Sequence, residues 1–339
     1  MLLRFPTYYE DFHCLAGDCP HTCCALWEVV LDEDTAARYQ ALPGPLGDRL
    51  RQAMVTDEDG DVCFPLNGGR CPFLDGENLC QIHRQLGPEA TSVTCREHPR
   101  FEEDYGPFRE VSLSASCPEA SRLLFGGPFV LTERETAEVG EDGDPWLTGL
   151  VPFRATVLEI LAQEERPIHD RLRDVLLLSL VGQELLEEED LEALGALTLA
   201  DLPEAELPEG EGMFPAALDA LAGLERLEGD WGHLLEQAKA VELPAGEDRA
   251  VQRAAEYGCF RYLLKCVNDG DLLSHAQLVV FLALAAERLG PVCGGVPEAL
   301  RRLSCEVEHS ADNLDRLLEA FWQDPIFSVE NFLRELCSN

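Results

Sequence analysis

The sequence predicts a mainly α protein, with an irregular, cysteine-rich, metal-binding N-terminal domain followed by an all-helical domain. Three observations carry this. Nine of the 14 cysteines lie between Cys14 and Cys117. That same stretch is broken repeatedly by Gly and Pro turns, such as Pro43-Gly44-Pro45 and Gly87-Pro88, so its elements must be short. From Leu150 onward, apolar residues recur at helical spacing instead.

Taken in order, residues 1 to about 30 carry the first cysteines and few regular signals. Asp32 to Gln40 is a short helix with Asp32 or Asp34 as its N-cap, and Leu46 to Val55 is a second. Leu79 to Leu86 gives one or two helical turns, Glu110 to Leu113 a short strand, and Pro118 to Phe125 a helix with Cys117 at its N-terminus. Residues 127–149, rich in Gly, Pro and acids, form a linker between a cysteine-cluster domain at 1–126 and a helical domain at 150–339. Helical spacing covers Val151 to Gln163, His169 to Glu187, Phe214 to Leu227, Asp248 to Val267, Ser274 to Leu289 and Leu314 to Phe321. Asp201 to Gly212 is an acidic loop.

The formal net charge of −38, from 26 basic and 64 acidic residues, argues against binding nucleic acid or anionic membrane surfaces. It suits solubility and a basic, lysine-bearing partner. No run approaches the roughly 20 apolar residues of a bilayer span. Met1 to Pro6 lacks a basic segment followed by an apolar one, so the expected location is cytoplasmic, where thiols stay reduced.

Clustered thiolates repel one another unless a cation neutralises them. Four cysteines within Cys14 to Cys24 (Cys14-x4-Cys19-x3-Cys23-Cys24) therefore point to metal ligation. Cys71, Cys80, Cys95 and Cys117 complete the candidate ligand set. Proline follows Cys71 and Cys117 directly and stiffens those ligand loops, a recurrent feature of iron–sulfur ligand runs. Eight thiols suit one cluster with supporting thiols, or two metal sites. The spacing leaves zinc and iron both open. Cys63 and the five C-terminal cysteines are read as packed thiols, and His83 and His98 as alternative ligands or ordinary polar residues. Trp27 is a candidate for stacking on a cofactor and Arg100 for holding a carboxylate, with core packing and an internal salt bridge as the plainer roles. No strand–Gly-x-Gly–helix opening of a nucleotide-binding fold is present.

The sequence resembles the flagellin lysine-N-methylases, within a wider group of zinc- or iron-chelating cysteine-cluster proteins. The resemblance rests on Pro6-Thr7-Tyr8-Tyr9, Phe12-His13-Cys14, Cys19-Pro20-His21-Thr22-Cys23-Cys24 and Trp27 before Asp32. It continues through Cys71-Pro72-Phe73-Leu74, Leu79-Cys80-Gln81-Ile82, Thr94-Cys95-Arg96, Pro99-Arg100 and Ser114-Ala115-Ser116-Cys117-Pro118-Glu119. Tyr257-Gly258-Cys259-Phe260-Arg261-Tyr262-Leu263-Leu264 extends it into the helical domain. It implies lysine methylation of flagellin, with S-adenosylmethionine as methyl donor and a four-iron, four-sulfur cluster on the cysteines. A non-catalytic zinc- or iron-binding module is the alternative reading.

Overall fold

The computed structural model describes residues 1–25, 29–57, 60–204, 210, 212–243 and 246–337. Strand β1 (Leu2–Pro6) leads through a 3₁₀ turn at Thr7–Tyr9 into the first cysteine loop. There follow β2 (Val29–Val30), α1 (Glu33–Ala41), α2 (Gly44–Ala53), β3 (Val55–Thr56) and β4 (Val62–Phe64). Next come α3 (Gln81–Leu86), α4 (Val93–Glu97), β5 (Arg100–Asp104), β6 (Phe108–Leu113), α5 (Pro118–Gly126) and β7 (Leu131–Glu135). The helical body comprises α6 (Leu147–Leu161), α7 (Ile168–Glu187), α8 (Leu191–Ala196), α9 (Ala216–Ala222) and α10 (Trp231–Ala238). It continues with α11 (Asp248–Tyr262), α12 (Leu272–Cys293), α13 (Val296–Glu308), α14 (Ala311–Gln323) and α15 (Val329–Cys337). The mainly helical class read from the sequence is the one observed.

Asp32 caps α1 as expected, its Oδ1 accepting the Thr35 N–H at 2.9 Å. Its Oδ2 accepts the Val93 N–H at 2.9 Å, so one carboxylate satisfies the first turns of both α1 and α4.

Two sheets form. The larger has the order β5-β6-β1-β7. β1 runs parallel to β6, with Leu2 opposite Phe108 and Arg4 opposite Glu110, and antiparallel to β7, from Leu2 opposite Glu135 to Pro6 opposite Leu131. Its edge strands, Arg-Phe-Glu-Glu-Asp and Leu-Thr-Glu-Arg-Glu, are charged, which discourages pairing with another chain. The smaller sheet has the order β2-β4-β3. The stretch read as a linker at 127–149 thus supplies edge strand β7 and the first residues of α6. Its alternating polar side chains suit a solvated edge, and a partner over a hundred residues away gives no local signal.

The described residues form two cores. The small one gathers Val29, Leu31, Tyr39, Leu50, Phe64, Phe73 and Ile82 around Cys71. The large one takes Tyr8, Phe12, Phe108, Leu113, Ala120 and Leu124 from the N-terminal third and packs them with the helices. Helix α12 runs through its centre against α7, α10, α11, α13 and α14. By length and composition α12 is apolar enough to cross a membrane, but 78% of its most apolar window is buried inside this body. An all-round apolar helix of a core has that composition.

The sheet is fastened to the helical body by an ion pair out of solvent. Arg154 of α6 donates through Nη1 to Oε2 of Glu110 on β6 at 2.7 Å, and through Nη2 to its Oε1; the two residues are 2% and 3% exposed. Breaking such a pair strands one charge, whereas replacing both partners with apolar groups does not. Glu110→Gln is therefore expected to lower unfolding free energy by about 3–5 kcal/mol in urea melts, and Glu110→Leu with Arg154→Met to lower it far less.

Candidate metal centre

Four cysteines from four short segments converge on one void of about 20 Å³: Cys24, Cys71, Cys80 and Cys95. Apolar side chains of the small core, including Val29, Leu31, Phe64 and Ile82, line the rest of it.

Each segment is held by its own local chemistry. Cys24 is tied to the second segment by its carbonyl, which accepts the Cys71 N–H at 2.8 Å. Cys71 opens a turn in which the Leu74 N–H meets the Cys71 carbonyl at 3.0 Å, and the N–H groups of Phe73 and Leu74 are directed at the Cys71 sulfur. Pro72 has no N–H to leave unmet in that turn. Phe73, 1% exposed, anchors it against Phe64 with ring centroids 4.8 Å apart. Cys80 stands at the N-terminus of α3, where the Ile82 and His83 N–H groups face its sulfur. Cys95 lies in α4, whose cap Ser92 accepts the Cys95 N–H at 3.2 Å and hydrogen-bonds the thiol. Backbone donors aimed at sulfur favour thiolate and tune a bound metal.

Burial pushes the Cys71 thiol up to about 11 and the Cys95 thiol up to about 12, and raises Cys80 as well. The neighbouring sulfurs push the same way. Cys24 goes down, to about 7, chiefly because Cys23 hydrogen-bonds it, with Thr22 and Arg70 assisting against burial. The protein alone thus holds most of these groups as thiols, and a bound cation reverses that balance.

The remaining four candidates form a second, more open group. Cys14 and Cys23 are exposed, and Cys19 and Cys117 are partly buried. Burial raises Cys19 and Cys117, and the repulsion between Cys14, Cys19 and Cys117 adds to it. Cys117 precedes α5, with the Glu119 and Ala120 N–H groups at its sulfur, the arrangement also seen at Cys80. Cys23 links the groups: it hydrogen-bonds Cys24 and feels Cys14. The structure therefore brings the eight thiols together as two neighbouring sets.

The donor set of the closed group fits a four-thiolate metal centre, the ligand chemistry of structural zinc and of iron–sulfur clusters alike. Among the described residues, no three His, Cys, Asp or Glu donors are drawn together as a ready-made single-ion site; the thiols surround the void.

The other candidates sit elsewhere. Trp27 lies outside the described residues. Arg100 places its guanidinium 5.0 Å from the Phe12 ring centroid and hydrogen-bonds Tyr9, so it braces the 3₁₀ turn of the large core. His83 is exposed on α3. His98 stacks edge-on to His309 at 5.8 Å, and burial lowers it to about 3, which keeps it neutral. Neither histidine lines the void. Cys63, Cys259, Cys266 and Cys305 are buried as packed thiols, but Cys293 is only partly buried and Cys337 is exposed on α15. The sequence reading missed Ser92, whose signal was a Ser three residues before Cys95.

Metal loading must displace the protons that burial holds on Cys71, Cys80 and Cys95. Apparent affinity for added zinc or iron is therefore expected to fall as the pH is lowered from neutral, with proton release measurable in weakly buffered solution. Cys71→Ser or Cys95→Ser should abolish metal retention at this centre, and Cys266→Ala should leave metal content unchanged; elemental analysis separates the two.

A family model described as a putative zinc- or iron-chelating domain, CxxCxxCC, matches residues 13–113. That range takes in all four thiols of the closed group but not Cys117. The flagellar biosynthetic protein FliU of Salmonella muenchen is 30% identical over 129 residues, which is 36% of this chain and 76% of FliU. The lysine-N-methylases of Salmonella choleraesuis and Salmonella typhimurium are each 30% identical over 136 residues, 38% of this chain but 34% of theirs. The match therefore spans about a third of those two relatives. No solved structure matches. On this similarity the chain belongs to the family of FliU and the lysine-N-methylases, with a zinc- or iron-chelating domain that contains the four thiols.

Proposed function

We propose that this chain is a protein-lysine N-methyltransferase that acts on flagellin in the cytoplasm, takes its methyl group from S-adenosylmethionine and carries a cysteine-ligated iron–sulfur cluster. The observation that supports the reading is the four-thiol group inside the zinc- or iron-chelating domain, in a chain 30% identical over 136 residues to lysine-N-methylases. Cys24, Cys71, Cys80 and Cys95 would hold the cluster. Bound there, it would supply a structural staple for the small core and an electron-transfer group.

Methyl transfer itself needs no radical. A neutral lysine amine forms the N–C bond as the sulfonium S–C bond breaks; the thioether leaves, and the amine's proton passes to a base or to water. The protein's task is to align the reactants, worth several kcal/mol of barrier, and to remove the proton from an amine whose free pKa is about 10.4. The acidic surface favours capture of lysine-bearing segments, although salt screens it beyond about 8 Å. A cavity of about 570 Å³ is lined by Glu103, Asp104, Glu138, Glu141 and Asp142 beside Arg109, which extends that acidity into a concave face.

A non-catalytic zinc-binding module is the second reading. It is favoured by the size of the void, about 20 Å³, close to the room that one water-sized sphere occupies.

Anaerobically purified protein is expected to be brown, with iron and acid-labile sulfide in near-equal amounts. Incubated with S-adenosylmethionine and flagellin from the same source, it should add single-methyl mass increments to flagellin lysines, faster as the pH rises and the target amines deprotonate. Stoichiometric zinc without sulfide, and unmodified flagellin, would put the module reading first.

A further inference from the structure

Two sequence signatures that the metal centre does not use meet inside the molecule. Ser114-Ala115-Ser116 follows β6, and Tyr257 and Tyr262 lie on α11. They converge on one carboxylate, Glu308, the last residue of α13. Glu308 Oε1 accepts from Tyr262 Oη at 2.8 Å and from Tyr257 Oη, and its Oε2 accepts from Ser114 Oγ at 2.5 Å. Tyr257 also takes the Ala115 N–H at 3.2 Å, and Ser116 Oγ meets His309 Nε2 at 3.0 Å.

This carboxylate is in an unfavourable place. It sits at the C-terminus of a helix, where the dipole opposes negative charge. Several other carboxylates withdrawn from solvent are answered by cations, Glu110 by Arg154, Glu287 by His169 and Glu335 by Arg288, and Glu306 of the same helix is answered by the backbone N–H groups of Leu227 and Glu228. Among the described residues, Glu308 has no salt bridge; its direct partners are the neutral hydroxyls of Tyr257, Tyr262 and Ser114. Arg261 acts on Glu308 only at a distance, its guanidinium being hydrogen-bonded to Glu103 at 2.9 Å, and Arg301 is paired with Glu298 at 2.8 Å. The two tyrosines are 2% and 1% exposed, whereas Glu308 and His309 are partly exposed, so the cluster meets the surface at these two residues.

A partly exposed carboxylate without a salt bridge, backed by two aromatic hydroxyls, suits an ammonium group. We infer that Glu308, with Tyr257 and Tyr262, receives the side-chain ammonium of the substrate lysine. This rests on the lysine-methylation reading and names the group that recognises the target side chain.

The test is binding to the full-length, metal-loaded protein without a methyl donor. Protein with ¹³C-labelled tyrosine rings is titrated with n-butylammonium, a lysine side-chain mimic, and separately with n-butanol, its neutral counterpart. Wild-type protein should show saturable shifts of the Tyr257 and Tyr262 signals with the ammonium only. Glu308→Gln should weaken that binding at least tenfold while metal content is unchanged. Tyr262→Phe, which keeps the carboxylate, should weaken it severalfold and serves if Glu308→Gln does not fold. A wild-type protein whose tyrosine signals ignore n-butylammonium, or respond equally to n-butanol, overturns the inference. So does a folded Glu308→Gln protein that binds like wild type. Selective ammonium binding in a protein that leaves flagellin unmodified would count against methylation and leave the receptor standing.

Discussion

Four sulfur atoms from four short segments must share one buried void, and the small core depends on how that is resolved. Cys24, Cys71, Cys80 and Cys95 are carried by a loop, a turn, the mouth of α3 and the single turn of α4. These elements are too short to be stable alone, and the apolar cluster they share has fewer than a dozen members in its interior. Burying four thiolates without a cation is prohibitive, and leaving them as thiols gives weak contacts. A bound metal resolves both difficulties, because it converts repulsion among the sulfurs into attraction, and its binding energy becomes folding energy. The N–H groups at the Cys71 and Cys80 sulfurs are already oriented for that charge state.

The same constraint shapes the larger body. The sheet strands and α5 leave the cysteine-rich third and pack into the helical core, fixed by the Glu110–Arg154 pair. Cys117 is thereby presented from the helical side to Cys14 and Cys19. The metal segment and the helices meet along a polar seam that runs from Ser114 to Glu308. That seam joins a stretch just outside the matched domain to a helix nearly two hundred residues later.

Much of this was legible in the sequence because its signals are local. The helices over His169 to Glu187 and Ser274 to Leu289 follow apolar periodicity, and Asp32 marks its cap. The concentration of cysteine marks the centre. The sheet was less legible: β1 finds its partners at Phe108 and Glu135, and only the short strand near Glu110 was foreseen. Helix α13 escaped because Gly294-Gly295-Val296-Pro297 reads as a break, and its apolar stripe is interrupted by Arg301, Arg302 and Glu306, whose partners include the distant Glu228 and Leu227. Glu308 was invisible for the same reason. The division of eight thiols into two sets also needed three dimensions, since the adjacent Cys23 and Cys24 stand at the junction between them.

The central claim is that a metal held by Cys24, Cys71, Cys80 and Cys95 sustains the small core. Amide hydrogen exchange, followed by mass spectrometry before and after removal of the metal with a chelator, tests it most directly. Protection should collapse in β4 and in the Cys71 turn, while α12 in the large core stays protected. Unchanged protection of Val62–Phe64 in metal-free protein would contradict the account.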